Sequence, residues 1–88
     1  NKGQILYDYE NKDSYLYINV QLNQDYDNYI TQTEYNGYEK LIIENETFYF
    51  LGSEQNTFLF YKNKSIFTIT SKLSQSEMIK IAQNISKK

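Results

Sequence analysis

Between Lys40 and Thr70 the chain never runs far without a turn signal, and this spacing constrains the fold more than any other feature. "ENE" at Glu44 to Glu46, "GSEQN" at Gly52 to Asn56 and "KNK" at Lys62 to Lys64 separate four short runs: Lys40 to Glu44, Thr47 to Leu51, Thr57 to Tyr61 and Ser65 to Thr70. Each run is rich in Ile, Phe, Tyr, Leu or Thr, the residues that suit a pleated, half-buried surface. Each is also too short for a typical helix. Connections this tight join antiparallel neighbours, because a parallel crossover needs roughly a dozen residues. The spacing therefore predicts a four-strand antiparallel meander.

The N-terminal part adds a hairpin. In "SYLYINVQL", Ser14 to Leu22, the residues Leu16, Ile18, Val20 and Leu22 alternate with Tyr15, Tyr17, Asn19 and Gln21, the period of a strand with one buried face. "QILYDYE" before it alternates in the same way, and "NKD" at Asn11 to Asp13 supplies turn chemistry between the two. The segment from Asn23 to Gly37 is the one long connection, expected as a loop joining the hairpin to the meander.

At the C-terminus the period changes from two to helical. Ser74 followed by Glu77 forms a capping box, with Leu73 and Met78 placed for a hydrophobic staple. Met78, Ile81, Ala82 and Ile85 then recur at i, i+3, i+4 and i+7, and Ile79 widens the stripe. An apolar stripe needs a surface to cover. The sum is a single α+β domain over residues 1–88: an antiparallel sheet of about six strands with a C-terminal helix packed on one face. That face is expected to carry Phe48, Phe50, Phe58, Phe60, Phe67 and Ile69. The opposite face then carries Tyr15, Tyr17, Tyr49, Leu51, Leu59 and Tyr61.

Eighty-eight residues leave no room for a second core. The chain starts at Asn1 and is expected to be a piece of a longer protein. Net charge is −2, distributed as −7 over residues 1–61 and +5 over residues 62–88. This reads as a basic helix end offsetting an acidic sheet. Without arginine and with a pI near 5.0, the chain lacks the usual means of reading nucleic acid, and no nucleic-acid partner is expected.

The stretch "NTFLFYKNKSIFTITSKLSQSEMIKIAQNI", Asn56 to Ile85, together with "YEKLIIENETFYF", Tyr38 to Phe50, resembles domain of unknown function 4367, found at the C-termini of extracytoplasmic Gram-positive proteins. The most specific part is a hairpin ending in threonine or serine, followed by "LS", two residues, "E" and an apolar helix. Tryptophan often stands in such domains where this chain has Phe60, and glycine near Ser71. The resemblance carries no catalytic residues. It implies a location outside the cell membrane, an N-terminal anchor absent from this chain as the only link to the membrane, relatives among anti-sigma-like proteins and lipoproteins, and a binding or sensing role.

The residues themselves offer little chemistry. With no His and no Cys, nucleophile systems built on those residues and most zinc sites are excluded. Asp8, Glu10, Asp25, Asp27, Glu34 and Glu39 supply carboxylates, but so short a chain has little room for a sugar cleft, and no enzyme is expected. "NQDYDNYITQTE", Asn23 to Glu34, places oxygens at positions 1, 3, 5 and 12 of a calcium loop. Asn at position 1, Asn28 where glycine makes the turn, and a strand instead of an entering helix argue against it. No metal and no cofactor are expected. The remaining candidate is an interaction face of Tyr15, Tyr17, Tyr49 and Tyr61, since tyrosine combines contact area with a hydroxyl. The alternative is that the long segment after Asn23 simply covers it. The functional expectation is a non-enzymatic extracytoplasmic sensing or interaction module for an unknown protein or small ligand. A carrier of a lipid or other apolar ligand, and a small enzyme, are the alternatives.

Overall fold

The computed structural model describes residues 4–10 and 15–87, with side chains from residue 15 onward. Strands β1 (Gln4–Glu10), β2 (Tyr15–Gln21), β3 (Glu39–Ile43), β4 (Glu46–Gly52), β5 (Asn56–Lys62) and β6 (Ser65–Ser71) are joined by helices α1 (Tyr26–Tyr35) and α2 (Gln75–Ser86). The strands form one antiparallel sheet in the order β1-β2-β6-β5-β4-β3. The meander and the hairpin are thus sewn together through β2 and β6, whose register pairs Ile18 with Ile69 and Val20 with Phe67.

Two of the turns are of the mirror-image type that suits the twist of a hairpin. Glu44 and Asn45 both have positive φ (52° and 69°), as do Asn63 and Lys64 (54° and 60°). Asparagine tolerates this conformation, whereas Glu44 and Lys64 occupy it at a steric cost. The wider β4–β5 connection starts at Gly52, where an added Cβ comes within 3.2 Å of the Phe50 ring.

Helix α2 starts as its sequence dictates. The Ser74 hydroxyl accepts from the Glu77 amide at 3.3 Å while the Glu77 carboxylate reaches back to the Ser74 amide. Its apolar stripe lies on the phenylalanine face. Met78 and Ala82 are fully buried against Phe48, Phe58, Phe60 and Ile69, with Phe50, Phe67, Leu73, Ile81 and Ile85 packed around them. Phe60 and Phe67 stack at 4.7 Å, and Phe48 meets Phe60 edge-on at 5.6 Å. Ser71, wholly buried, donates its hydroxyl to the Tyr15 carbonyl at 2.6 Å and accepts from the Leu73 amide, fastening the start of the helix to β2. The expected α+β architecture with a C-terminal helix on an antiparallel sheet is therefore observed.

The segment after Asn23 corrects the sequence reading, since it forms a second helix where a loop was expected. Asp25 caps α1 by accepting from the Asn28 amide at 3.0 Å. At the other end Tyr38 N–H donates to the Thr33 carbonyl and Gly37 N–H to the Glu34 carbonyl, with Gly37 at φ +78°, a left-handed helix stop. The helix is lashed to the β5–β6 turn by the Gln24 amide donating to the Lys64 carbonyl and the Tyr61 hydroxyl donating to the Gln24 carbonyl. Both faces of the sheet therefore carry a helix.

Candidate interaction site

The register places Tyr15, Tyr17, Tyr49 and Tyr61 on the same side of the sheet, opposite α2. They do not form one open surface. Tyr29 of α1 is only 4% exposed and sits over Tyr49, itself 2% exposed, with their rings edge-on at 5.8 Å. It also packs against Tyr61 at 5.5 Å, and Leu59 and Ile66 complete this second core. Tyr49 and Tyr61 are thus packing residues, and the expected four-tyrosine face is corrected on this point: a helix has taken the aromatic surface as its own seat. Tyr15 and Tyr17 lie apart from the other two on β2, ring to ring at 4.9 Å and half-buried. Their row continues through Thr70 and Thr57, one step along the strands from the row of Leu59 and Tyr49.

Burial, followed by the neighbouring Tyr49 and Tyr26, pushes the Tyr29 phenol well above the ordinary tyrosine range. Burial alone raises Tyr38. Such groups stay neutral and behave as amphipathic filling, with no acid–base role implied by the geometry. The calcium-like loop is absent as a loop. Asp25 is committed to the helix cap, Asp27 lies in the first turn and Glu34 near the end of α1. Among the described residues no group of three carboxylate, imidazole or thiolate side chains is gathered to hold a metal.

What the fold leaves open is a groove along one flank of α1. A cleft of about 340 Å³ is lined by Tyr26, Tyr29, Ile30, Thr47, Tyr49 and Tyr61, with Glu46, Lys62 and Ser86 closing its end. A second, of about 420 Å³, shares Tyr26, Ile30, Thr47 and Tyr49 and extends between Glu34 of α1 and Lys40 of β3. The closed end is polar and tied together. The Ser86 hydroxyl donates to Glu46, and the Lys62 ammonium donates to the Ser86 carbonyl at the C-terminus of α2, where the helix dipole favours a cation. Tyr26 is 53% exposed on the helix rim, and Ile42, in register with the groove residue Thr47, is 68% exposed on the edge strand β3. The groove thus has an aromatic floor and polar ends, with two exposed apolar side chains near it.

Sequence reasoning missed Tyr26 and Ile30 as rim and floor residues, and the exposed Ile42 beside them in register with Thr47. The signal for the first two was present: Tyr26, Tyr29, Ile30 and Thr33 recur at i, i+3, i+4 and i+7 between Asp25 and Gly37, a capped amphipathic helix.

The geometry defines a class: a small α+β domain with helices on both faces of an antiparallel sheet and an aromatic-lined groove beside α1. Within that class the chain belongs to the family described as Domain of unknown function (DUF4367), whose model matches residues 1–85. No curated protein matches it closely enough to lend a function.

Proposed function

We propose that the domain is a non-enzymatic extracytoplasmic module for sensing or protein interaction, held at the cell membrane through an anchor N-terminal to it. The observation that carries the binding role is the groove beside α1, with Tyr26 exposed on its rim over a floor of Tyr49, Thr47 and Ile30, and with the exposed Ile42 in register with Thr47. Exposed apolar residues of this size at a concave site favour a partner over plain solvent. Location and anchoring rest on membership of the family and on its resemblance to anchored Gram-positive proteins. The carrier reading has less support, because α1 and α2 fill both faces of the sheet with side chains.

The test is site-specific photo-crosslinking in the full-length protein in its own cells. A photoreactive residue at Ile42 or Tyr26 gives a discrete protein adduct, whereas the same group at the exposed Lys72 gives none. A bound lipid in native mass spectrometry of the purified domain, with no protein adduct from either groove position, rejects the module in favour of the carrier.

A further inference from the structure

Strand β3 is a sheet edge whose charged residues, Glu39 and Lys40, stand at one end and leave Leu41, Ile42 and Ile43 without a charge among them. Edges are blunted with charged residues, proline or bulges, because their free N–H and C=O groups otherwise recruit another strand. The β3–β4 connection is a two-residue turn, and the register pairs Ile43 with Glu46, Leu41 with Phe48 and Glu39 with Phe50. In such a hairpin the closing pair exchanges hydrogen bonds and the pattern alternates along the strand. Ile43, Leu41 and Glu39 therefore bond inward to β4. The main-chain groups of Lys40 and Ile42 point outward, away from β4, with no strand beyond them among the described residues.

The same edge borders the groove. Lys40 and Ile42 alternate with Leu41 and Ile43, which pack into the α2 core, so their side chains lie on the α1 side of the sheet. Ile42 is the most exposed aliphatic side chain among the described residues. The charges around the edge are unbalanced. Lys87 is 3.5 Å from Glu44, and Lys62 and Glu46 are both engaged with Ser86. This leaves Asp27 and Glu34 lining the second cleft with Lys40 as its sole cation, while Glu39, in register with Phe50, lies on the α2 side of the sheet.

We propose that β3 is a docking edge for an extended, lysine- or arginine-bearing segment of a partner protein, added to the sheet as a seventh strand. Main-chain hydrogen bonds to Lys40 and Ile42 supply the pairing. Apolar side chains of the added strand pack beside Ile42 toward the groove, and its cations meet Asp27 and Glu34. Five residues of β3 set the length of the paired stretch at about 16 Å. The inference rests on the interaction-module reading and specifies its site and the chemistry of its partner.

The probe is an acetylated heptapeptide amide of alternating lysine and valine, titrated into the isotope-labelled domain and followed by amide chemical shifts and amide exchange. An alternating glutamate–valine peptide serves as the charge control. The expected result is saturable shifts at β3 and the neighbouring flank of α1, slowed exchange of the Ile42 amide, and at least tenfold weaker binding of the acidic peptide. Ile42→Pro removes the outward donor while leaving the ladder to β4, and it reduces binding at least tenfold. Ile42→Lys, which keeps the donor but adds a like charge, does the same should the proline variant fail to fold. Equal binding of both peptides, shifts centred on β1, no binding, or undiminished binding by a folded Ile42 variant overturns the docking edge. Photo-crosslinked adducts from Tyr26 in the full protein together with any of these results leave the module reading standing and reject only the strand addition.

Discussion

Replacing Tyr29 with alanine tests how α1 is held. The ring is 4% exposed and meets Tyr49, Tyr61 and Tyr26 at centroid distances of 5.8, 5.5 and 6.3 Å. Removing a buried aromatic side chain costs about 3 to 5 kcal/mol through lost transfer and the cavity left behind. A domain of 88 residues has roughly 4 to 13 kcal/mol of total stability at ~0.05 to 0.15 kcal/mol per residue. The substitution therefore consumes a large part of it. The loss has a ceiling, however. Helix α1 buries only Tyr29 and Thr33, and a free ten-residue helix is marginal in water. Once the cost exceeds the docking energy, α1 detaches and unfolds while the sheet and α2 persist. The chain has no tryptophan, so urea unfolding is followed by circular dichroism and tyrosine fluorescence, with amide exchange to locate the change. The expected outcome is a loss of about 3 kcal/mol or more, or selective loss of protection over Tyr26–Tyr35 with β4 to β6 still protected. A variant within about 0.5 kcal/mol of the parent, with α1 protected, refutes the idea that Tyr29 seats the helix.

Three further outcomes follow from the same geometry. Ser74→Ala removes the acceptor for the Glu77 amide and lowers stability by about 1 kcal/mol in urea titrations; no change means that the capping box contributes nothing to α2. Lys64→Gly relieves a side chain at φ 60° in a mirror-image turn and raises stability by roughly 0.5 to 1 kcal/mol, read from the denaturant midpoint, whereas a loss contradicts the turn assignment. With the Tyr29 phenol raised by burial, both states stay protonated below about pH 10, and above it the unfolded chain ionises first. Stability then falls with pH by up to about 1.4 kcal/mol per unit, and Tyr29→Phe flattens this slope between pH 10 and 11.

The strands of the meander and the start of α2 were legible because their signals are local and unambiguous. Alternation fixes which of Phe58 and Leu59 faces which helix, and Ser74 and Glu77 satisfy each other's amides within one turn. Helix α1 was hidden because its signals compete. Tyr, Asn and Thr are weak helix formers, and the oxygens of Asp25, Asp27 and Glu34 also fit a calcium loop. What turns the segment into a helix is its seat on Tyr49, Leu59 and Ile66, three residues from strands later in the chain. The tyrosine face was assigned to the correct side of the sheet, yet its burial depended on that unseen helix. The groove could not be located for the same reason, since one of its walls is α1.

The strand order has a consequence for how the chain is made. Strand β2 finds its second neighbour only in β6, and Gln21 pairs with Ile66, 45 positions further on. At a synthesis rate of about 5 to 20 residues per second, β2 waits roughly 2 to 9 seconds before the first residue of its partner exists. Through that interval β1 and β2 have only each other, and a lone two-stranded hairpin is marginal in water. Leu16 and Ile18 remain uncovered until β3 to β6 have been made and α2 has joined their core. The contacts within the meander are local, whereas the N-terminal hairpin, although synthesised first, must await β6 for its second neighbour.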